Sequence, residues 1–186
     1  MKPRMAHTGK GGTMRKCPIS ILLAGLAVLA AASSLALLPA AAAATTPTAV
    51  AFSNTRHVVS VTCCSGAAFH TVSDGTSVAS GAISGSFELV DQSAVVQQSP
   101  QSTHYGTIHI DSVLTGDSGT ITMGIQAQFV SANPDGTETL NGHWTIIAGT
   151  GSYTNLHGNG TFDATIYPAT ETITDTLTGF AFCASS

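Results

Sequence analysis

From position 57 to the C-terminus, apolar and polar residues alternate with a period of two. In 119–129 (GTITMGIQAQF), Ile121, Met123, Ile125, Ala127 and Phe129 share one face, and Thr120, Thr122, Gln126 and Gln128 share the other. In 161–167 (TFDATIY), Phe162, Ala164 and Ile166 lie opposite Thr161, Asp163 and Thr165; in 172–178 (TITDTLT), four threonines line one side. Such alternation is the mark of antiparallel strands with one apolar face. No stretch after position 45 repeats its apolar residues at helical spacing. Turn signals punctuate the pattern at Asp74-Gly75, at Gly116-Asp117-Ser118-Gly119, at Asn133-Pro134-Asp135-Gly136 and at Asn159-Gly160. The pattern predicts about eight strands, near 57–63, 67–73, 78–90, 104–114, 119–130, 138–148, 159–168 and 171–182. Residues 45–56 read as a flexible lead and residues 91–103 as a polar loop interrupted by Pro100.

Even spacing without helices leaves a sandwich or an up-and-down barrel. Charge decides between them. After position 44 the chain has no lysine and one arginine, Arg56, against ten carboxylates, a formal charge of −9. Open sheets guard their edges with charges, lysine above all, and a closed barrel has no edge to guard. The expected fold is therefore all-β, a single antiparallel closed barrel. The same scarcity of cations excludes nucleic acid as a partner of the mature domain, and an anionic membrane surface with it. Schiff-base chemistry is excluded by the missing lysine.

The other five basic residues lie in the first sixteen positions, ahead of an almost wholly apolar run at 19–38 and an alanine run at 40–44. A charged head, apolar body and small-residue exit make a secretory signal. The expected organisation is a signal peptide over 1–44, the lead over 45–56 and the barrel over 57–186, with the mature protein secreted. Serine and threonine then supply 41 of 142 mature residues and glycine 15. Export into an oxidising compartment makes a disulfide expected. Neighbours on a strand point to opposite faces, so either Cys63 or Cys64 is expected to pair with Cys183 and join the first strand to the last. Such a bridge would contribute about 4–5 kcal/mol in the loop-entropy account. No zinc-type spacing occurs, and no metal or cofactor is expected.

The stretch 142–161 (GHWTIIAGTGSYTNLHGNGT) runs from a strand through a Gly149-Thr150-Gly151 turn to an aromatic, then through Gly158 and Gly160 into the next strand. It resembles the corresponding stretch of allene oxide cyclase-like and dirigent-like β-barrels, including small secreted bacterial members. The resemblance is best over 104–182. It implies positive φ at Gly149 and Gly151, Tyr153 packed over the barrel end, and a bend or bulge at Gly158 and Gly160. It also implies an apolar lumen that binds or cyclises lipophilic molecules, and a homo-oligomer, often a trimer. Near the corner, Tyr153, Trp144, His143 and His157 become candidate ligand contacts.

Candidate chemistry is sparse. Gly116-Asp117-Ser118-Gly119 matches the local sequence around a serine-protease nucleophile, but the histidine context is missing and a hairpin turn accounts for it. In 105–113 (YGTIHIDSV), Tyr105, Thr107, His109 and Asp111 share a face opposite Ile108 and Ile110. Facing a lumen, His109 and Asp111 would form an acid–base pair; facing solvent, they are the wet side of a strand. Glu88, between Phe87 and Leu89, is a further isolated candidate. The leading expectation is non-catalytic binding of an apolar small molecule. The alternatives are an isomerase or cyclase using His109, Asp111, Glu88 and Tyr105, and a surface protein whose threonine-rich faces mediate assembly.

Overall fold

Eight strands follow one another along the chain: β1 Thr48–Cys63, β2 Ala68–Gly81, β3 Gly85–Gln97, β4 Tyr105–Gly116, β5 Gly119–Ala132, β6 Glu138–Gly149, β7 Leu156–Tyr167 and β8 Thr172–Cys183. The computed structural model describes residues 46–63, 68–97 and 105–184. Each strand pairs antiparallel with its neighbours in sequence, and β8 returns to pair with β1, from Thr48 opposite Ala181 to His57 opposite Thr172. The result is a closed up-and-down barrel, as the alternation and the missing edge charges predict.

Because side chains alternate across a strand, each strand sends every second residue inward. Read from one end to the other, the inward residues change character in the same order on several strands. On β1 they are Val50, Phe52, Asn54 and Arg56; on β3, Phe87, Leu89 and Asp91; on β8, in reverse chain direction, Ala181, Leu177 and Asp175. One half of the barrel is thus packed solid. Phe52, Leu89, Leu114, Ile121, Met123, Trp144, Phe162 and Leu177 are all essentially inaccessible to solvent there. A layer of buried polar side chains lies across the middle.

Several sequence expectations need correction. The segment read as a flexible lead is the first part of β1. Val50 and Phe52 continue the inward alternation, but Asn54 and Arg56 extend it with polar residues, which hides the strand from an apolar pattern. Asp74-Gly75 lies inside β2, opposite His57 and Arg56. The turn that separates β2 from β3 falls at residues 82–84, so the strand expected over 78–90 is the end of one strand and the start of the next. The loop expected from residue 91 is strand as far as Gln97. Asn159-Gly160 is also within a strand, paired with Phe180 and Gly179.

The remaining turns form as expected. Gly116 and Gly119 pair across the β4–β5 hairpin, with Gly119 at φ +136°. Asn133 accepts from Gly136 N–H at 3.0 Å and closes the β5–β6 turn, where Gly136 takes φ +83°. At the Gly-Thr-Gly corner only Gly151 takes positive φ (+59°). Gly149 is there for space: a Cβ at that position would run into the Tyr153 backbone. The 3-10 turn Gly151–Tyr153 drops the Tyr153 ring into the barrel end, tilted against Phe87 with centroids 6.1 Å apart.

The strand register also bears on the disulfide. Cys183 pairs with Leu156 near the Gly-Thr-Gly end. Cys63 lies six residues beyond His57, the last β1 residue paired with β8, and therefore at the opposite end. A disulfide needs Cα atoms within about 7 Å, whereas a strand advances about 3.3 Å per residue. The fifteen positions between Thr48, opposite Ala181, and Cys63 put the pair out of reach. The Cys63 alternative therefore does not fit the barrel register, although Cys183 is itself disulfide-bonded; the Cys64 alternative, like the proposed signal segment, lies outside the described residues.

Candidate functional site

Beyond the polar layer, the open half of the barrel holds a cavity of about 390 Å³. Its wall is apolar: Val58, Val61, Phe69, Val95, Ile108, Ile110, Leu140, Ile166 and Ile173 contribute from seven strands, with Pro168 at the rim. Thr71, Ser73, Ser93 and Glu138 add polar points, and Arg56 and Asp91 face it from the polar layer. A volume of this size falls within the range of roughly 300–1,000 Å³ seen for small-molecule sites, and a mostly apolar wall with a few convergent polar groups is their usual make-up.

Arg56 organises the polar layer. Its two terminal nitrogens form ion pairs with Asp91 and with Asp175, all three side chains being buried. Asn54 Nδ2 donates to Asp175 Oδ1 at 2.6 Å, and Ser112 Oγ donates to Asp91 Oδ1 at 2.5 Å. Four strands, β1, β3, β4 and β8, are thereby tied together through one guanidinium. Room for it comes from Gly75, which pairs with Arg56 across β1 and β2: any Cβ there would collide with the Arg56 Cα and Cβ. Burial lowers the Arg56 pKa from its ordinary value, and the Coulombic pull of Asp175 works against that. Burial likewise raises Asp175, against the opposing effects of Arg56 and Asn54. Desolvation is the larger effect on both partners, so this layer carries an electrostatic cost that an apolar filling would not. Arg56 Nε has no hydrogen-bond partner in the protein.

The residues singled out by sequence lie elsewhere. His109 and Asp111 face outward from β4 and are exposed, with Ile108 and Ile110 turned into the lumen. Glu88 is exposed on the outside of β3. The side chain of Tyr105 lies outside the described residues. The acid–base pair inside a lumen is therefore not formed by His109 and Asp111: the face they share is the wet one. Replacing His109 with Ala and Asp111 with Asn is expected to change unfolding free energy by no more than about 0.5 kcal/mol. Chemical denaturation measures this, and a loss above about 1 kcal/mol would show a partner for them.

Near the corner, Trp144 and Tyr153 are buried in the solid half, away from the cavity. His143 and His157 are exposed; His157 stacks on Phe182 with centroids 5.6 Å apart. His143 borders an open polar depression on the outer wall with Thr107, Gln126 and Asp163. That depression has a larger volume than the lumen, about 570 Å³, but lacks its apolar enclosure and buried charges. Among the described residues, no three His, Cys, Asp or Glu side chains gather as a metal ion would require.

What the sequence reading missed is Arg56 with Asp91 and Asp175. A signal was present. Arg56 is the sole lysine or arginine after position 16, and it continues the inward series Val50, Phe52, Asn54 at strand spacing. No family model, curated protein or solved structure matches the chain.

Proposed function

We propose that this protein is an exported β-barrel that binds an apolar small molecule in the open half of its lumen without changing it covalently. One observation carries the reading: the cavity of about 390 Å³ with a mostly apolar wall, ending on a buried charged layer. A barrel that served only as a rigid surface would gain stability from filling that space, since packed interiors leave few voids. The basic head and apolar run of residues 1–38 support export, and the resemblance to lipophile-binding barrels agrees with the lumen as the site.

The test uses a neutral apolar dye whose emission rises on leaving water, such as Nile red. The wild-type protein is expected to bind it and to release it to competing apolar molecules. Ser93→Phe, which places a ring in the cavity from a half-buried position, is expected to weaken binding on the order of ten-fold or more, equivalent to about 1.4 kcal/mol. Its melting temperature should stay close to wild type. Equal dye binding by both proteins would move the site out of the lumen, and no binding by wild type would end the proposal.

A further inference from the structure

We infer that the lumen selects neutral amphiphiles carrying a hydroxyl group and rejects carboxylates of the same tail length. The inference rests on the lumen being the ligand site, and it comes from the charge at the closed end of the cavity. Arg56 contributes one positive charge, Asp91 and Asp175 two negative ones, and both terminal guanidinium nitrogens are already engaged by those carboxylates. Glu138, also lining the cavity, adds a further negative charge. Arg56 is the only lysine or arginine among the described residues. An incoming carboxylate would thus find its countercharge taken and two like charges lining the cavity. Burying it unpaired is costly.

A hydroxyl meets both kinds of polar group along the wall. It brings no charge to bury, can donate to the half-buried Glu138 carboxylate on the wall, and can accept from the half-buried Thr71 and Ser93 hydroxyls that also line the cavity. A primary ammonium would be drawn to Asp91 and Glu138, but it has no acceptor capacity for the wall hydroxyls and loses the hydration of its charge on burial, so the neutral head group fits better than the cationic one. The apolar wall receives the tail.

The experiment compares dodecanol, dodecanoate, dodecylamine and dodecane as competitors of the neutral dye at pH 7, on the mature protein. Dodecanol is expected to compete best, with dodecanoate weaker on the order of ten-fold or more. Glu138→Gln, at a half-buried position, should narrow the gap by improving dodecanoate alone. Asp91→Asn should narrow it further. If Asp91→Asn fails to fold, Glu138→Gln still decides. Dodecanoate or dodecylamine binding as tightly as dodecanol would overturn the head-group assignment while leaving the lumen as the site. Dodecane matching dodecanol would overturn it too, by showing that only the tail is read. Dye displaced by none of the four would remove the lumen reading and this inference together.

Discussion

Arg56→Met is expected to cost about 3–5 kcal/mol of stability at neutral pH, among the largest effects of any single change in this barrel. The methionine fills part of the volume, so the loss is electrostatic. Asp91 and Asp175 remain buried, at 1% and 4% exposure, with their shared cation gone. Adding a second change, Asp175→Asn, is expected to recover part of the loss, because it removes one of the stranded charges. The fully paired layer is a different matter: desolvation already outweighs attraction for Arg56 and for Asp175. The cluster therefore holds its members to one geometry more than it adds to stability.

The pH dependence separates charge from packing. Burial already holds the Asp175 pKa above its ordinary value, and Arg56 is the first of the groups opposing the rise. Without Arg56 the folded value moves further up. A carboxyl with a folded pKa above its unfolded one contributes stability that is complete below the unfolded value, about 3.9. That contribution is lost as pH rises through the folded value. The variant should therefore recover relative to wild type on acidification from pH 7 toward pH 4, the reverse of ordinary acid denaturation. Urea unfolding at the two pH values measures it. A stability difference that stays constant between them would assign the loss to packing.

How far the sequence carries depends on what faces inward. Where the interior is apolar, alternation alone places the residues: Ile121, Met123, Ile125 and Ala127 on β5, and Phe162 and Ala164 on β7, are buried as their pattern predicts. The Gly-Thr-Gly corner and the Asn133–Gly136 turn are equally legible, because their residue types answer a local backbone need. Closure follows from the missing edge charges. Where the interior is polar, the same rule misleads. Asn54 and Arg56 disguise β1 as a lead, and Asp91 turns the second half of β3 into an apparent loop. Asp74-Gly75 imitates a turn because Gly75 is needed for space beside Arg56 rather than for a bend. The site was lost for the same reason. A charged residue reads as outward until a partner of opposite charge is known, and Asp91 and Asp175 lie 35 and 119 positions from Arg56 in the chain. His109 and Asp111 drew attention because adjacency in sequence is visible, whereas adjacency across a closed barrel is not.

Trp144→Ala is expected to cost about 3–5 kcal/mol through loss of buried surface and the void it leaves. Trp144 is 1% exposed and meets Phe52 edge to face, with ring centroids 5.9 Å apart at 84°. Its indole also reaches past one strand to another. Nε1 donates to the Thr178 carbonyl of β8 at 3.2 Å, although Trp144 lies on β6 and β7 runs between. The residue of β7 opposite Trp144 is Gly160, and a Cβ there would come within 2.7 Å of Trp144 Nε1 and would strike the Thr178 carbonyl. Trp144→Phe keeps a ring against Phe52 and gives up this hydrogen bond, at an expected cost of about 1–2 kcal/mol, close to that of a single buried bond with some lost packing. Gly160→Ala should be more damaging with Trp144 present than with Phe in its place, since part of the collision is with the indole. A double-mutant cycle over the two positions reads that coupling, expected at about 0.5 kcal/mol or more. Because Trp144 is the only tryptophan of the chain, unfolding of these variants is followed by circular dichroism rather than indole emission. Additive costs at the two positions would mean that Gly160 serves only its neighbour on β8, and the reach of Trp144 across β7 would no longer explain why a glycine stands there.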